Sequence, residues 1–220
     1  MAGRGVERAP VTESGRRGAV GLMGGTFDPI HMGHLVIAET AREALSLDRM
    51  LFVPAGTPPH KPASEVTAVE HRVAMVQLAI ADNAAFELSR IEVDRAGPSY
   101  TVDTVEQLTA DWDVTVILSA ETFRELPSWH EPDRLFAAAR VAVVPREGYP
   151  APDPTWLGAT FPGREKRVTY LEAPHLGLSS TAIRARVAAG RSIRYLVPPA
   201  IEAYITANDL YQTQRRTAAS

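Results

Sequence analysis

Two histidines three residues apart, His31 and His34, close a glycine-rich segment, Gly24 to His34, that reads GGTFDPIHMGH. At that spacing they share a face where a helix begins. Two imidazoles there can donate hydrogen bonds to phosphate oxygens and stabilise charge developing on a phosphoryl group. Glycines let the backbone approach a ligand, and a helix N-terminus favours anions. The segment has neither the dinucleotide-binding glycine spacing nor the Gly-Lys-Ser/Thr ending of a P-loop. The competing chemistry is zinc, which takes histidines at i and i+3 but needs three or four protein ligands. Asp28 and Glu39 are the nearby candidates, and neither completes a familiar spacing. A lone histidine is ordinarily a core or surface residue; the matched pair in this turn favours phosphate chemistry.

A second anion element lies near the other end of the chain, at Ser179 to Arg184 (SSTAIR). Ser179 or Ser180 can cap a helix, and Arg184 lies about one turn beyond Ser180, so its guanidinium can reach the same helix mouth. Alone, this segment reads more readily as a capped helix with a surface arginine. Lys61, in the proline-rich run TPPHKP, supplies a point charge suited to phosphate. The turn GPSYTVDT, Gly97 to Thr104, opens a helix whose free N–H groups suit an acidic ligand.

These residues need a scaffold, and the pattern of apolar runs supplies one. Strands are expected at Ala19–Gly24, Arg49–Pro54, Phe86–Asp94, Val114–Leu118, Val141–Val144 and Arg167–Leu171. Helical spacing follows from about Gly33 (Leu35, Ala38, Leu45), through Val69, Val73, Val76 and Ile80, and over Thr101–Leu108, Pro132–Ala139, Ser179–Ala189 and Pro199–Asn208. Gly190 stands just past one helix end, and Pro199 near the first turn of the last. Alternating strands and helices with short connections predict an α/β fold, a doubly wound parallel sheet with a short C-terminal helical part. Ligands of such sheets bind at the carboxyl ends of strands, which is where GGTFDPIHMGH falls. The proline-rich stretch Pro145–Pro154 is a loop or linker. The expected organisation is an N-terminal extension without regular structure (1–18), one domain (19–211) and a short tail (212–220).

Composition narrows the partners. The chain has 220 residues, 45% hydrophobic and 22% charged, with a net charge of −3. That balance argues against a general nucleic-acid or membrane-surface binder, although a local basic pocket remains compatible. There are no cysteines, which removes disulfides, thiolate metal sites and cysteine nucleophiles and fits a reducing cytoplasm. No signal-peptide pattern and no apolar stretch of membrane-spanning length is present. The sequence leaves homo-oligomerisation open.

GGTFDPIHMGH resembles the signature of the nucleotidyltransferase superfamily that carries an HxGH motif, and its GTFDP-containing form is similar to the nicotinate-nucleotide adenylyltransferases. SSTAIR resembles the superfamily's second motif, and VPAGTPPHKP, GPSYTVDT and SAETFRELPSW resemble further elements of that family in the same order. The resemblance covers roughly Ala19 to Tyr211. It implies a Rossmann-like fold and transfer of the adenylyl group of ATP to nicotinate mononucleotide. ATP contacts are implied for Gly24, Gly25, Thr26, Phe27, His34, Ser179, Ser180, Thr181 and Arg184. Acceptor contacts are implied for Asp28, His31, Lys61, Tyr100, Thr101, Glu121 and Trp129, with the indole stacked on the pyridine ring. His31, His34, Lys61 and Arg184 are the expected catalytic phosphate contacts. Mg²⁺ is expected to enter with ATP and pyrophosphate, using few protein ligands. One departure stands out: the family commonly reads Gly-x-Asp where this chain has Ser119-Ala120-Glu121. The rival readings are another superfamily enzyme, such as a phosphopantetheine adenylyltransferase, and a nucleotide sensor without turnover.

Overall fold

The computed structural model describes residues 17–59, 62–150 and 152–212. Six strands form its sheet: β1 (Ala19–Gly25), β2 (Arg49–Pro54), β3 (Phe86–Leu88), β4 (Asp113–Ser119), β5 (Arg140–Val144) and β6 (Val168–Tyr170). They hydrogen-bond in the order β3-β2-β1-β4-β5-β6, and every pairing is parallel. Parallel neighbours need crossover connections. Here these contain α1 (Met32–Ala44), α2 (Val69–Ala79), α3 (Thr101–Leu108), α4 (Ala120–Glu125), α5 (Pro132–Ala138) and α6 (Pro154–Thr160); α7 (Ser180–Ala188) and α8 (Pro199–Ala207) follow the sheet. The strand order reverses between β1 and β4, and a crevice opens at the carboxyl ends there. This is the doubly wound, Rossmann-like arrangement that the alternation predicts.

The strand alternation builds two cores. Val20, Leu22, Leu51, Val116, Val141 and Val143 face one side, under α3, α4, α5 and α6. Met23, Met50, Phe52, Ile117, Ala142 and Val144 face the other, under α1, α2, α7 and α8. Each fully buried Val, Leu or Phe contributes about 1.5–3 kcal/mol relative to exposure. Helix α3 shows the logic: Val102, Val105 and Leu108 recur every three residues and are buried. Helix α7 starts where Ser179 Oγ accepts the Ala182 N–H at 3.1 Å, and Gly190 takes φ +64° just beyond its end.

Two expectations are corrected. The strand foreseen over Phe86–Asp94 ends at Leu88. The chain then turns, with Asp94 N–H bonded to Arg90 O at 2.9 Å, because Glu92 is drawn into the interior to hold Thr104. Helices α4 and α6 had no counterpart in the periodicity. The Pro145–Pro154 loop does not divide the fold, since β5 before it pairs with β6 after it. Of the expected terminal extensions, all but Arg17, Gly18 and Gln212 lies outside the described residues. Among the described residues no helix is long and apolar enough to cross a membrane.

Candidate active site

A cleft of about 940 Å³ opens above the ends of β1 and β4. Gly24, Gly25, Thr26, Asp28, His31 and His34 line it from the first motif. Ser179, Ser180, Thr181 and Arg184 join them from the second, and Tyr100, Thr101 and Trp129 line it as well. The structure thus brings together residues as distant along the chain as Gly24 and Arg184. Lys61 and His60 lie outside the described residues.

His31 is the N-cap of α1, and its backbone N–H donates to His34 Nδ1 at 3.2 Å. That bond fixes chemistry. With Nδ1 accepting, neutral His34 carries its proton on Nε2 and offers an N–H donor. The two rings stack at 3.8 Å, and the edge of Phe27 supports His34 at 5.1 Å. His31 Nδ1 is buried without a hydrogen-bond partner. Gly33 sits close against this pair: a Cβ there would stand 3.0 Å from the His31 ring, which would have to yield by a few tenths of an ångström. Burial, and secondarily the charge of Arg146, lowers the His31 pKa to about 4. Burial, then His31 and Arg146, holds His34 well below its ordinary value. Both are therefore neutral near pH 7 in the free protein.

This carries a stability consequence. Between about 4 and 6.5 the unfolded chain binds a proton at position 31 that the native state does not, so native stability falls as pH drops from 6.5 toward 4. We expect the melting temperature to decline over that window and His31→Gln to flatten part of the decline, a contribution of up to about 3 kcal/mol. A variant that melts with the parent's pH dependence refutes it.

The second motif is latched onto the first. Ser180 Oγ donates to Pro29 O at 2.9 Å, and Arg184 Nη1 donates to Asp28 O at 2.7 Å. Helix α7 therefore presents its N-terminus to the same space as the N-terminus of α1. Zinc finds no set here. The Asp28 carboxylate accepts from Thr67 N–H and Tyr211 O–H, Glu39 pairs with Arg42 and Asn83, and no metal-binding group of three His, Asp or Glu occurs among the described residues.

Elsewhere in the cleft, Tyr100 is the N-cap of α3 and Thr101 its first residue. The first-turn N–H groups of a helix have no intrahelical acceptor, so they remain available to a ligand. Arg95 backs this mouth, donating to Tyr100 O and Thr104 Oγ1. Buried Glu92 accepts from Thr104 Oγ1 at 2.9 Å, and burial pushes its carboxyl pKa up. Trp129 stands on the cleft wall with its body packed against the core. Beside it, His130 stacks on Tyr100 at 4.2 Å, bridging the two segments.

Two expected contacts are placed differently. Phe27 is 2% exposed, with φ +50°, and its ring enters the core beneath His34 rather than the cleft wall. Glu121 also stands off the lining. Ser119 caps α4 by accepting the Thr122 N–H at 3.2 Å, and Glu121 in the first turn pairs with Arg146 Nη1 at 2.7 Å. Arg146 is the one of the two that lines the cleft.

Residues 22–186 match the family described as cytidylyltransferase-like. A "Probable nicotinate-nucleotide adenylyltransferase" of Roseiflexus sp. (strain RS-1) is 48% identical over 195 residues, covering 88% of this chain and 98% of the relative. The chain belongs to the nicotinate-nucleotide adenylyltransferase family. A second member, from Thermus thermophilus and carrying the same name, is 44% identical over 196 residues, covering 88% and 99%. The fold matches the Plasmodium falciparum nicotinic acid mononucleotide adenylyltransferase complexed with NaAD, with a TM-score of 0.73 at 20% identity, covering 88% and 97%.

Within this nicotinate-nucleotide adenylyltransferase scaffold, Arg146, His130 and Glu92 are cleft residues that sequence reasoning missed. Arg146 sits in a segment that reads as a linker. The one signal for it was its place just past the apolar run of β5, at a strand's carboxyl end. His130 follows Trp129 directly and could have been taken with it. Glu92 was absorbed into an apparent strand.

Proposed function

We infer that this chain joins the adenylyl group of ATP to nicotinate mononucleotide, forming nicotinate adenine dinucleotide and pyrophosphate. The observation that carries the reading is the shared cleft. Two helix N-termini with His31, His34 and Arg184 suit a polyphosphate, and the α3 mouth with Trp129 suits an aromatic acid. A phosphate oxygen of the acceptor attacks the α-phosphorus of ATP. The bond from that phosphorus to the bridging oxygen breaks, and pyrophosphate leaves with the electron pair. No protein nucleophile is needed, so the chain acts by alignment and by stabilising charge. His34 Nε2–H and the Arg184 guanidinium address the phosphates of ATP, and Arg146 and His31 face the region where acceptor and donor meet. Lys61 adds a charge for phosphate. Asp28 serves the site by bracing the loop, and Glu121 by orienting Arg146.

Mg²⁺ fits as a passenger on the nucleotide, because Asp28, Glu92 and Glu121 all have protein partners. Carried in on the nucleotide, it would supply positive charge to the pyrophosphate oxygens. Both substrates are small nucleotides, a cytoplasmic setting supplies them, and no nucleic-acid or membrane partner enters the reaction.

Pyrophosphate release with a panel of acceptors tests the reading. With nicotinate mononucleotide, kcat/KM should exceed that with nicotinamide mononucleotide at least tenfold, about 1.4 kcal/mol, because helix-mouth donors favour a carboxylate over an amide. Equal efficiency removes the role given to Tyr100 and Thr101. Preference for phosphopantetheine, or ATP binding without turnover, removes the reaction.

A further inference from the structure

Behind the cleft, Arg72 of α2 is 1% exposed. Its guanidinium donates to three main-chain carbonyls: Nε to Thr67 at 2.9 Å, Nη1 to Thr26 at 2.9 Å and Nη2 to Gly56 at 3.4 Å. Gly56 and Thr67 are near the two ends of the segment that joins β2 to α2, and Thr26 belongs to the glycine–histidine turn. Asp28, 3% exposed, bridges the same gap. Its Oδ2 accepts the Thr67 N–H at 3.1 Å and its Oδ1 accepts the Tyr211 O–H at 2.7 Å. Tyr211 lies 183 residues further along the chain.

The connection continues to the α3 mouth. Thr57 N–H donates to Ser99 Oγ at 3.2 Å, and Ser99 N–H donates to Thr57 O at 3.0 Å. Ser99 directly precedes Tyr100 and Thr101. Gly56 is pressed so tightly on this wall that a Cβ would stand 2.3 Å from Glu92 O. A path of hydrogen bonds therefore runs from Tyr211 through Asp28, Thr67 and Arg72 to Gly56, and from the adjoining Thr57 through Ser99 to the mouth of α3.

We propose that buried Arg72 and Asp28 form, with the half-buried Tyr211, a clamp that sets the spacing between the ATP half of the cleft and its acceptor half, making Tyr211 a positioning residue for adenylyl transfer. The assignment of that step rests on the reaction inferred above. Each half is also bonded internally: the His31–His34 pair by its own turn, the acceptor mouth by α3. Slack in the clamp leaves each binding surface intact and moves one relative to the other. In-line attack is sensitive to that movement, since a misplacement of about 1 Å can cost on the order of 10² in rate. Its signature is a fall in kcat without a matching loss of affinity. A residue that only stabilises the fold lowers the melting temperature and leaves turnover of the folded fraction alone.

The test uses the full chain with Tyr211→Phe, which deletes a single hydroxyl outside the cleft, and Arg72→Lys, which loses the three-way fork. Well below the melting temperature of each variant, Tyr211→Phe should lower kcat about tenfold. The dissociation constants of a non-hydrolysable ATP analogue and of nicotinate mononucleotide, measured separately, should change less than about twofold. Hydrogen exchange should accelerate at the Thr57 and Thr67 amides. Turnover within about twofold of the parent, or affinity lost in step with turnover, overturns the positioning role. Unchanged exchange at both amides in both variants overturns the clamp itself. The exchange arm needs no activity, so it also judges the clamp if Tyr211→Phe does not fold, through Arg72→Lys, or if the parent proves inactive with nicotinate mononucleotide. That last result would fall on the reaction assignment.

Discussion

Replacing His34 by alanine is expected to lower kcat by about 10²–10³, the range for loss of one preorganised donor to developing charge. The change in ATP affinity should be smaller. The reasoning begins at the main chain. Because the His31 N–H holds His34 Nδ1, the donor at Nε2 is oriented before substrate arrives and needs no reorganisation during the reaction. Because burial, then His31 and Arg146, keep the ring neutral, it acts as a fixed dipole rather than as a cation that ATP must first recruit. The Phe27 edge contact means that alanine also removes packing, so melting temperature must be read alongside. Single-turnover rates with saturating ATP separate the outcomes. A loss shared equally between turnover and ATP affinity assigns His34 to binding or folding, and unchanged turnover takes it off the catalytic list.

Arg146→Ala should lower kcat/KM by about 10–10², the cost of one or two hydrogen bonds between charged groups at about 1.5–3 kcal/mol. Arg146 lines the cleft, and Glu121 holds its guanidinium at 2.7 Å. Glu121→Ala should therefore be the milder change, since the cation stays and only its orientation relaxes. A double-mutant cycle decides the relationship. If Glu121 works through Arg146, its removal costs little once Arg146 is gone. Strictly additive losses would instead mean that Glu121 meets the acceptor ribose on its own. A second readout follows from the electrostatics: without the Arg146 charge, the pKa of both His31 and His34 should rise, observable by NMR titration.

Much of the scaffold was legible because it depends on local pattern. Apolar runs bounded by glycine or proline located β1 and β2, and a three-residue recurrence gave α3 its observed ends. Helices α4 and α6, of six and seven residues, are too short for a period to emerge. The FELSRIEVD stretch alternates as a strand does, yet tertiary demand from Thr104 and Gly56 turns Glu92 inward. Site residues followed the same division. Motif residues whose partners are near in sequence, such as His31 with His34 and Ser179 with Ala182, could be read directly. Asp28 could not, because its carboxylate answers to Thr67 and Tyr211, and Glu121 could not, because its partner is in another loop. Phe27 needed the backbone: a left-handed φ sends its ring into the core.

The Arg184–Asp28 bond joins residues 156 positions apart. A ribosome makes the chain from one end, so the glycine–histidine turn emerges long before the Ser180 and Arg184 that latch onto it. A nascent chain that has completed β5 already holds every strand but one, and still lacks Ser180 and Arg184 to close the phosphate end. A product interrupted there lacks both side chains that latch the second motif onto the first, and also β6 and the helices α7 and α8 that cover one face of the sheet. Contacts of such long sequence separation also form late in refolding, because the intervening chain must first be ordered. Recovery of ATP binding after dilution from denaturant should accordingly lag the recovery of secondary structure.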